Sequence, residues 1–190
     1  MQSGFSYVAS SQASYGLSKN LCTNETQINT KFEFSRGDVD NLTLFYQPVI
    51  HSDKKEHGVD LRRVDDGGSC WQPDYYIKYE HAGVTKRIIL DAKFSKASRL
   101  KVPYKGKNLS QFEACVRKYR YLTNADDGSR VNAMWLISGR EDGKRRSQCF
   151  QGNMKWRYSD GIVQILAKDP DLDLQTIKDL LFSKDGLLNE

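Results

Sequence analysis

Three ionisable residues, Asp74, Asp91 and Lys93, have the types and the spacing to hold a divalent cation and to act on a phosphate ester. Asp91 and Lys93 lie two residues apart in residues 85–94, the most strand-like run of the chain. Since side chains alternate across a strand, both are expected on the same face of a sheet. Asp74 follows Pro73 at the start of the preceding predicted strand. The spacing therefore predicts a hairpin that carries two carboxylates and one ammonium group.

Asp91 ends an otherwise apolar run, residues 88–90, so its carboxylate is expected to be buried. An unpaired charge there would raise the free energy of the folded state by several kcal/mol. The sequence leaves open two ways in which the charge of Asp91 could be neutralised. Lys93 alone could form an ion pair, or Asp91 could share a divalent cation with Asp74. Lys93 would then orient a water molecule or stabilise the transition state of phosphodiester hydrolysis.

The elements that position these residues predict an α/β (α+β) fold with a mixed central sheet flanked by helices. Residues 1–40 lack sustained periodicity and are interpreted as a loop-rich arm, while residues 41–190 are interpreted as one domain, so that the whole chain forms a single domain. The patterns predict strands over residues 42–50, 73–80, 85–94, 131–138 and 161–167, and helices over residues 110–122 and 171–182.

Both predicted helices show an apolar face. Ser110 and Glu113 have the spacing of a capping box at the start of the first helix. Its buried stripe is predicted to comprise Phe112, Cys115, Val116, Tyr119 and Leu122. The inward residues of the second helix are predicted to be Leu172, Leu174, Ile177, Leu180 and Leu181.

Positive charge is concentrated directly after the Asp91 motif. Residues 93–120 contain nine basic residues and one acidic residue, so this segment has a net charge of +8 against +5 for the whole chain. A solvated surface would show the same pattern, but its position beside the acidic motif favours contact with nucleic-acid phosphates. The predicted phosphate contacts are Lys96, Arg99, Lys101, Lys105, Lys107, Arg117, Lys118 and Arg120.

The four cysteines are dispersed, which favours reduced thiols over a disulfide framework. A zinc site that combines Cys70 or Cys149 with His51, His57 or His81 is the weaker alternative. Apolar runs are far shorter than a membrane span of about 18 residues, and residues 1–5 lack the basic flank and apolar core typical of a signal peptide. A cytoplasmic location without membrane contact is expected.

Taken together, Pro73 and Asp74, an intervening hairpin, and Asp91, Ala92 and Lys93 resemble the signature of the PD-(D/E)XK nuclease superfamily. The resemblance implies a restriction-endonuclease-like αβββαβ core and a Mg²⁺ ion, with Mn²⁺ as a substitute. It places the metal on Asp74, Asp91 and the carbonyl of Ala92. It also implies that the helix after the motif supplies a side chain to the site, for which Gln111 is the candidate.

More narrowly, residues 42–50, 73–75 and 90–94 resemble the nuclease-like domain of McrBC-type restriction and antiphage systems. This resemblance covers about residues 40–125 and implies an endonuclease or its catalytic module acting on DNA in antiviral defence. An NTPase, a specificity subunit or a further domain is the implied partner, and an oligomer is compatible with it. One departure is the lack of a convincing helix in residues 1–40, where the superfamily core begins with one. Either the chain comes from a longer protein, or the site works without that helix.

Two other functions compete with this hypothesis. A nucleic-acid-binding module could retain the fold and the basic surface without catalysis, although all three motif residues are present. A scaffold could dock partners through Asp169, Asp171 and Asp173, but acidic residues at a helix N-terminus are explained more simply by the helix dipole. The sequence leaves open whether DNA or RNA is bound and which sites are recognised.

Overall fold

The computed structural model describes residues 6–11, 29–38, 40–52, 58–64, 70–103, 106–143, 148–151, 160–168, 170–183 and 186–188. These residues form ten strands and three helices, so the chain is of the mixed α+β class. The elements are β1 (Ser6–Ser11), β2 (Thr30–Arg36), β3 (Asp40–Tyr46), β4 (Leu61–Arg62), β5 (Tyr75–His81), β6 (Val84–Lys96), α1 (Ala97–Leu100), α2 (Gln111–Tyr119), β7 (Thr123–Asn124), β8 (Ala133–Arg140), β9 (Gln148–Gln151), β10 (Asp160–Gln164) and α3 (Pro170–Phe182).

Eight strands belong to a mixed sheet in the order β1-β2-β3-β5-β6-β8-β10-β9, and β4 pairs with β7 in a separate ribbon. This large mixed sheet agrees with the predicted α/β class. By its contacts the chain divides into two compact units: Met1–Arg87 with Thr123–Ser129, and Ile88–Leu122 with Arg130–Glu190. They are called the first and second unit below, and the prediction of a single domain stays a prediction.

In the first unit, β1, β2, β3 and β5 pair in antiparallel order. The prediction of a loop-rich arm over residues 1–40 is therefore wrong for β1 and β2. Strand β2 carries a signal that the sequence analysis missed, because Phe32 and Phe34 alternate with Lys31 and Glu33 in the two-residue period of a strand. The two phenylalanines stand opposite Leu44 and Leu42 of β3.

The strand predicted over residues 42–50 ends at Tyr46 instead. Gln47 turns the chain with a positive φ of 45°, and Pro48 has no N–H to continue the ladder. The predicted strands on either side of the turn at Ala82 and Gly83 are confirmed as β5 and β6. Both turn residues have positive φ, 46° and 83°, as a two-residue turn between antiparallel strands requires.

Asp40, at the start of β3, is the centre of a cluster of polar side chains in the first unit. Its carboxylate is only 5% exposed and hydrogen-bonds with Nδ1 of His81, with Nε of Arg36 at 2.6 Å and with the Tyr79 hydroxyl at 3.3 Å. The hydrogen bond to His81, followed by that from Arg36, holds the pKa of Asp40 below its ordinary value. The ionised carboxylate therefore stabilises the folded state.

This pKa makes the stability of the chain sensitive to acid. Since the folded pKa lies below the unfolded one, the contribution is complete above the unfolded carboxyl pKa of about 4 and is lost as the pH falls through the folded pKa. We expect Asp40→Asn to lower the free energy of unfolding at pH 7 and to reduce its decline below about pH 4. Urea denaturation across this range measures both effects. Parallel curves for the two proteins would contradict the assignment.

In the second unit, β6 pairs in parallel with β8, and β8 pairs in parallel with β10, while β9 is antiparallel to β10. Parallel neighbours need a crossover connection, and α2 lies in the segment between β6 and β8. The centre of this unit is apolar and closed to water. Its fully buried side chains include Ile88, Ile89, Met134, Leu136 and Ile162.

Helix α2 begins and ends close to the predicted residues, and its capping box is present. The Glu113 N–H donates to Oγ of Ser110 at 3.1 Å, while the Ser110 N–H donates to Oε2 of Glu113 at 2.8 Å. The predicted apolar stripe is confirmed in part, since Tyr119 and Leu122 are buried whereas Phe112, Cys115 and Val116 are half-buried. Helix α2 therefore lies with one side against the sheet of its unit.

Helix α3 is confirmed, but its inward face was predicted wrongly at two residues. Leu174 is 55% exposed and Ile177 is 36% exposed, whereas Asp173 and Thr176 are buried beside Leu180 and Leu181. The Thr176 hydroxyl donates to the carbonyl of Leu172 at 2.8 Å, which lets this polar side chain be buried. Helix α3 therefore buries a different face from the one that its apolar residues alone indicate.

Candidate functional site

The centre of the candidate site is the pair Asp91 and Lys93 on β6. As the alternation predicted, both project from one face, and Nζ of Lys93 lies 2.5 Å from Oδ2 of Asp91. Asp91 is 5% exposed, whereas the Lys93 side chain is 25% exposed. The ammonium group therefore reaches toward solvent while it neutralises a buried carboxylate, which would be costly if unpaired.

Helix α2 contributes a third group, Cys115, to which the sequence analysis gave only a packing role. Its Sγ lies 3.8 Å from Oδ2 of Asp91 and donates a weak hydrogen bond. Burial, followed by the negative charge of Asp91, raises the pKa of the Cys115 thiol to about 11. The thiol is therefore a neutral donor near pH 7. No sequence pattern predicts this contact, because 24 residues separate Cys115 from Asp91.

The contacts of Asp91 leave one of its oxygens uncommitted. Lys93 and Cys115 both contact Oδ2, and within the described part of the chain Oδ1 accepts no hydrogen bond. A carboxylate oxygen of this kind is the ligand type that Mg²⁺ prefers. Ala92, whose carbonyl is the other ligand predicted for this segment, pairs with Ile137 of β8. Oδ1 of Asp91 is therefore the oxygen of this cluster whose chemistry suits a divalent cation.

No group of three or more His, Cys, Asp or Glu side chains is placed to hold a metal among the described residues. The predicted site has only two carboxylates and a carbonyl, so it is smaller than such a group. For the alternative zinc site, Cys70 is an exposed free thiol, while His57 and the side chain of Cys149 lie outside the described residues.

Asp74, the other predicted carboxylate, belongs to the first unit. It directly precedes β5, as predicted, and is half-buried. Its carbonyl oxygen accepts a hydrogen bond from the N–H of Gln47 at 2.7 Å, which fixes the chain where β5 begins. Its partnership with Asp91 in one metal site stays a prediction from the sequence.

Gln111 is the first residue of α2 and is exposed. It lies four residues before Cys115, so the two side chains are on the same side of the helix. Gln111 also lines a pocket of about 980 Å³ in the second unit. We call Asp91, Lys93 and Cys115 the Asp91 cluster. Gln111 therefore lies one helical turn from this cluster along α2, and among the described residues it forms no hydrogen bond with Asp91.

The predicted phosphate contacts that the structure describes fall into a half-buried group and an exposed group. Arg120 is half-buried, donates to the carbonyl of Val131 and lies 3.6 Å from Asp160, so its guanidinium serves packing within the second unit. Lys118 lies 4.8 Å above the Tyr119 ring. Lys105 lies outside the described residues. The remaining candidates are exposed: Lys96, Arg99, Lys101, Lys107 and Arg117.

The acidic stretch that the scaffold hypothesis would use does not form an exposed patch in the described residues. Asp173 is 8% exposed, Asp171 is exposed in the first turn of α3, and Asp169 lies outside the described residues. Two acids in the first turn agree with the helix-dipole explanation.

In the described residues, no helix is long and apolar enough to cross a membrane. No family model, curated protein or solved structure matches the chain.

Proposed function

We propose that this chain hydrolyses phosphodiester bonds of DNA in a reaction that depends on Mg²⁺ or Mn²⁺, as the catalytic module of a restriction or antiphage system. The observation that carries the proposal is the Asp91 cluster. A buried carboxylate ends an apolar strand, a lysine on the same face neutralises one of its oxygens, and the other oxygen is uncommitted within the described residues. A buried carboxylate oxygen that accepts no described hydrogen bond is of the type that binds Mg²⁺, which favours a site over a packing feature.

The order of elements gives independent support. Strands β3 and β5 are antiparallel neighbours, β6 carries the motif, α2 follows, and β8 lies parallel to β6. Without the short elements β4, α1 and β7, this order is β-β-β-α-β, which is what resemblance to the PD-(D/E)XK superfamily implies after its first helix. The restriction-endonuclease-like core and the family assignment remain part of the proposal.

Asp91 would hold the cation, together with the carbonyl of Ala92, while a contribution of Asp74 stays a prediction from the sequence. When bound, the cation supplies positive charge to the phosphoryl oxygens and lowers the pKa of the attacking water. Lys93 has three N–H donors, one of which points to Asp91. The others can donate to a phosphoryl oxygen or orient the water, and their charge stabilises the negative charge that develops in the transition state.

The exposed basic residues after the motif supply affinity for the strand without reading its sequence. Since each contact releases counterions, DNA binding should weaken as salt rises. Target recognition is proposed to come from a further domain or a partner such as an NTPase or specificity subunit.

A catalytically inactive nucleic-acid-binding module is the second candidate, and one observation favours it. The ion pair between Lys93 and Asp91 compensates the buried charge by itself, as a domain without a metal would require. In such a module Lys93 would contribute stability, and its removal would leave DNA affinity nearly unchanged.

Cleavage of supercoiled plasmid, linear DNA and RNA with Mg²⁺, Mn²⁺ or EDTA separates the two candidates. We expect metal-dependent cleavage of DNA that Lys93→Ala lowers by about 100-fold or more, the loss typical of one electrostatic contact to a transition state. Lys178→Ala removes an exposed lysine of α3 and serves as the matched control with unchanged cleavage. Metal-independent binding of DNA without any cleavage would support the inactive module instead.

A further inference from the structure

The pocket beside α2 has a volume and an apolar wall to which the proposed hydrolysis gives no role. Its volume is about 980 Å³, and its described walls come from the end of β6, α1, residues 102–103 and 107–110, and the start of α2. A bridge joins Pro103 to Ser110. Ligand pockets typically have volumes of about 300–1,000 Å³. The pocket is therefore large enough for a nucleotide.

The charge of the pocket is positive. Arg99 and Lys107 line it, and its described lining contains no acidic residue. Both side chains are exposed, and neither forms an ion pair with a described carboxylate. Two uncompensated cations at one cavity attract an anion, and a phosphate group accepts hydrogen bonds from both types of side chain.

The remaining walls suit a nucleobase. Val102, Pro103 and Leu109 provide apolar surface against which a flat ring can pack. Asn108 and Gln111 provide two amides, each of which can donate and accept hydrogen bonds as the edge of a base requires. A free inorganic anion would use the cations alone and leave this apolar wall without a function.

The pocket adjoins the Asp91 cluster along both elements that form the cluster. Ser95 lines it and lies two residues after Lys93 on β6. Gln111 lines it and lies one helical turn before Cys115, whose thiol contacts Asp91. A nucleotide in the pocket would therefore be next to a phosphate held at Asp91 and Lys93.

We propose that this pocket binds a single nucleotide of the substrate strand, with its phosphate at Arg99 and Lys107 and its base against Val102 and Pro103. The assignment of that nucleotide to a substrate strand rests on the proposed nuclease function. Taking one base out of a stack costs a few kcal/mol, least for single-stranded, mismatched or damaged DNA. The pocket thus favours substrates with an unpaired nucleotide near the cleavage site.

Calorimetric titration of the full chain in EDTA with deoxynucleoside 5′-monophosphates tests the pocket apart from catalysis. Inorganic phosphate and the nucleosides without phosphate are the comparison ligands. We expect the monophosphates to bind at least about tenfold more tightly than either. Ala114→Phe, which fills the pocket from an exposed position of α2, and Arg99→Ala or Lys107→Ala should each weaken this binding about tenfold, while Lys178→Ala should not.

Equal binding of inorganic phosphate and nucleotide, or nucleotide binding that survives Ala114→Phe in a folded protein, would overturn the pocket assignment. Circular dichroism and the melting temperature establish folding for each variant. Nucleotide binding by a chain that never cleaves DNA would support the pocket and refute the proposed hydrolysis. Metal-dependent cleavage without nucleotide binding would do the reverse.

Discussion

Asp91→Asn is expected to lower the rate of metal-dependent DNA cleavage by about 100- to 1,000-fold, the range for loss of one electrostatic contact to the transition state. The amide has nearly the same shape as the carboxylate but no charge, so it is a poor ligand for Mg²⁺. It also removes the anion that holds Nζ of Lys93 at 2.5 Å. Single-turnover cleavage with enzyme in excess measures the rate without interference from product release.

The control for this prediction must distinguish a loss of catalytic activity from a loss of folding. Asp38→Asn removes one carboxylate from an exposed turn and should leave both cleavage and stability unchanged. The melting temperature of Asp91→Asn shows whether it is folded, since the substitution also breaks a buried ion pair. A folded Asp91→Asn protein that cleaves DNA within about tenfold of the original chain would exclude Asp91 as the centre of the site.

Arg87→Met is expected to lower the free energy of unfolding by about 3–5 kcal/mol, the cost of breaking a buried pair by removing one partner. Nε and Nη2 of Arg87 donate to Oδ2 of Asp60 at 3.0 and 2.9 Å. Nη1 donates to the hydroxyl of Ser129 at 3.1 Å. The Arg87 side chain is only 7% exposed, so Asp60 would lose its neutralising charge in a site with little water.

Two further donors make Asp60 the centre of a polar network in the first unit. The Tyr76 hydroxyl and Nδ2 of Asn124 donate to its two oxygens at 2.5 and 2.9 Å. Burial and the charge of Asp60 raise the pKa of Tyr76 well above its ordinary value, so the phenol stays a donor. The network joins residues far apart in the chain, which is why its loss should destabilise the whole first unit.

Urea denaturation followed by circular dichroism gives the unfolding free energy of Arg87→Met. Arg62→Met, an exposed arginine on β4, is the matched control and should change stability by less than about 0.5 kcal/mol. A loss below about 1 kcal/mol in Arg87→Met would show that the network does not stabilise the fold.

Local patterns in the sequence predicted the parts of the site that depend on neighbouring residues. The two-residue period placed Asp91 and Lys93 on one face, and Ser110 and Glu113 marked the start of α2. The turn at Ala82 and Gly83 followed from its residue types. Each of these features is fixed by backbone geometry within a few residues, so sequence alone is sufficient.

The features that the sequence did not predict depend on packing between distant segments. Cys115 contacts Asp91 only because α2 packs beside β6, and 24 residues separate the two. Asp60 lies in an irregular segment whose composition gave no sign of its three partner side chains. On α3, hydrogen bonding of Thr176 let polar residues be buried while Leu174 is exposed, which an apolar pattern cannot anticipate. The alternation in β2 was a local signal that was missed.

Nicking of supercoiled plasmid by the full chain, followed over time with Mg²⁺ and with excess EDTA, tests the central claim most directly. A proposed cation-dependent site at Asp91 and Lys93 predicts nicked and linear products with Mg²⁺ and none with EDTA. It also predicts a nicking rate with Mg²⁺ that is lower by about 100-fold or more for a folded Asp91→Asn protein. Plasmid that stays supercoiled with the folded chain in Mg²⁺ and Mn²⁺, or nicking that EDTA and Asp91→Asn leave unchanged, would contradict it.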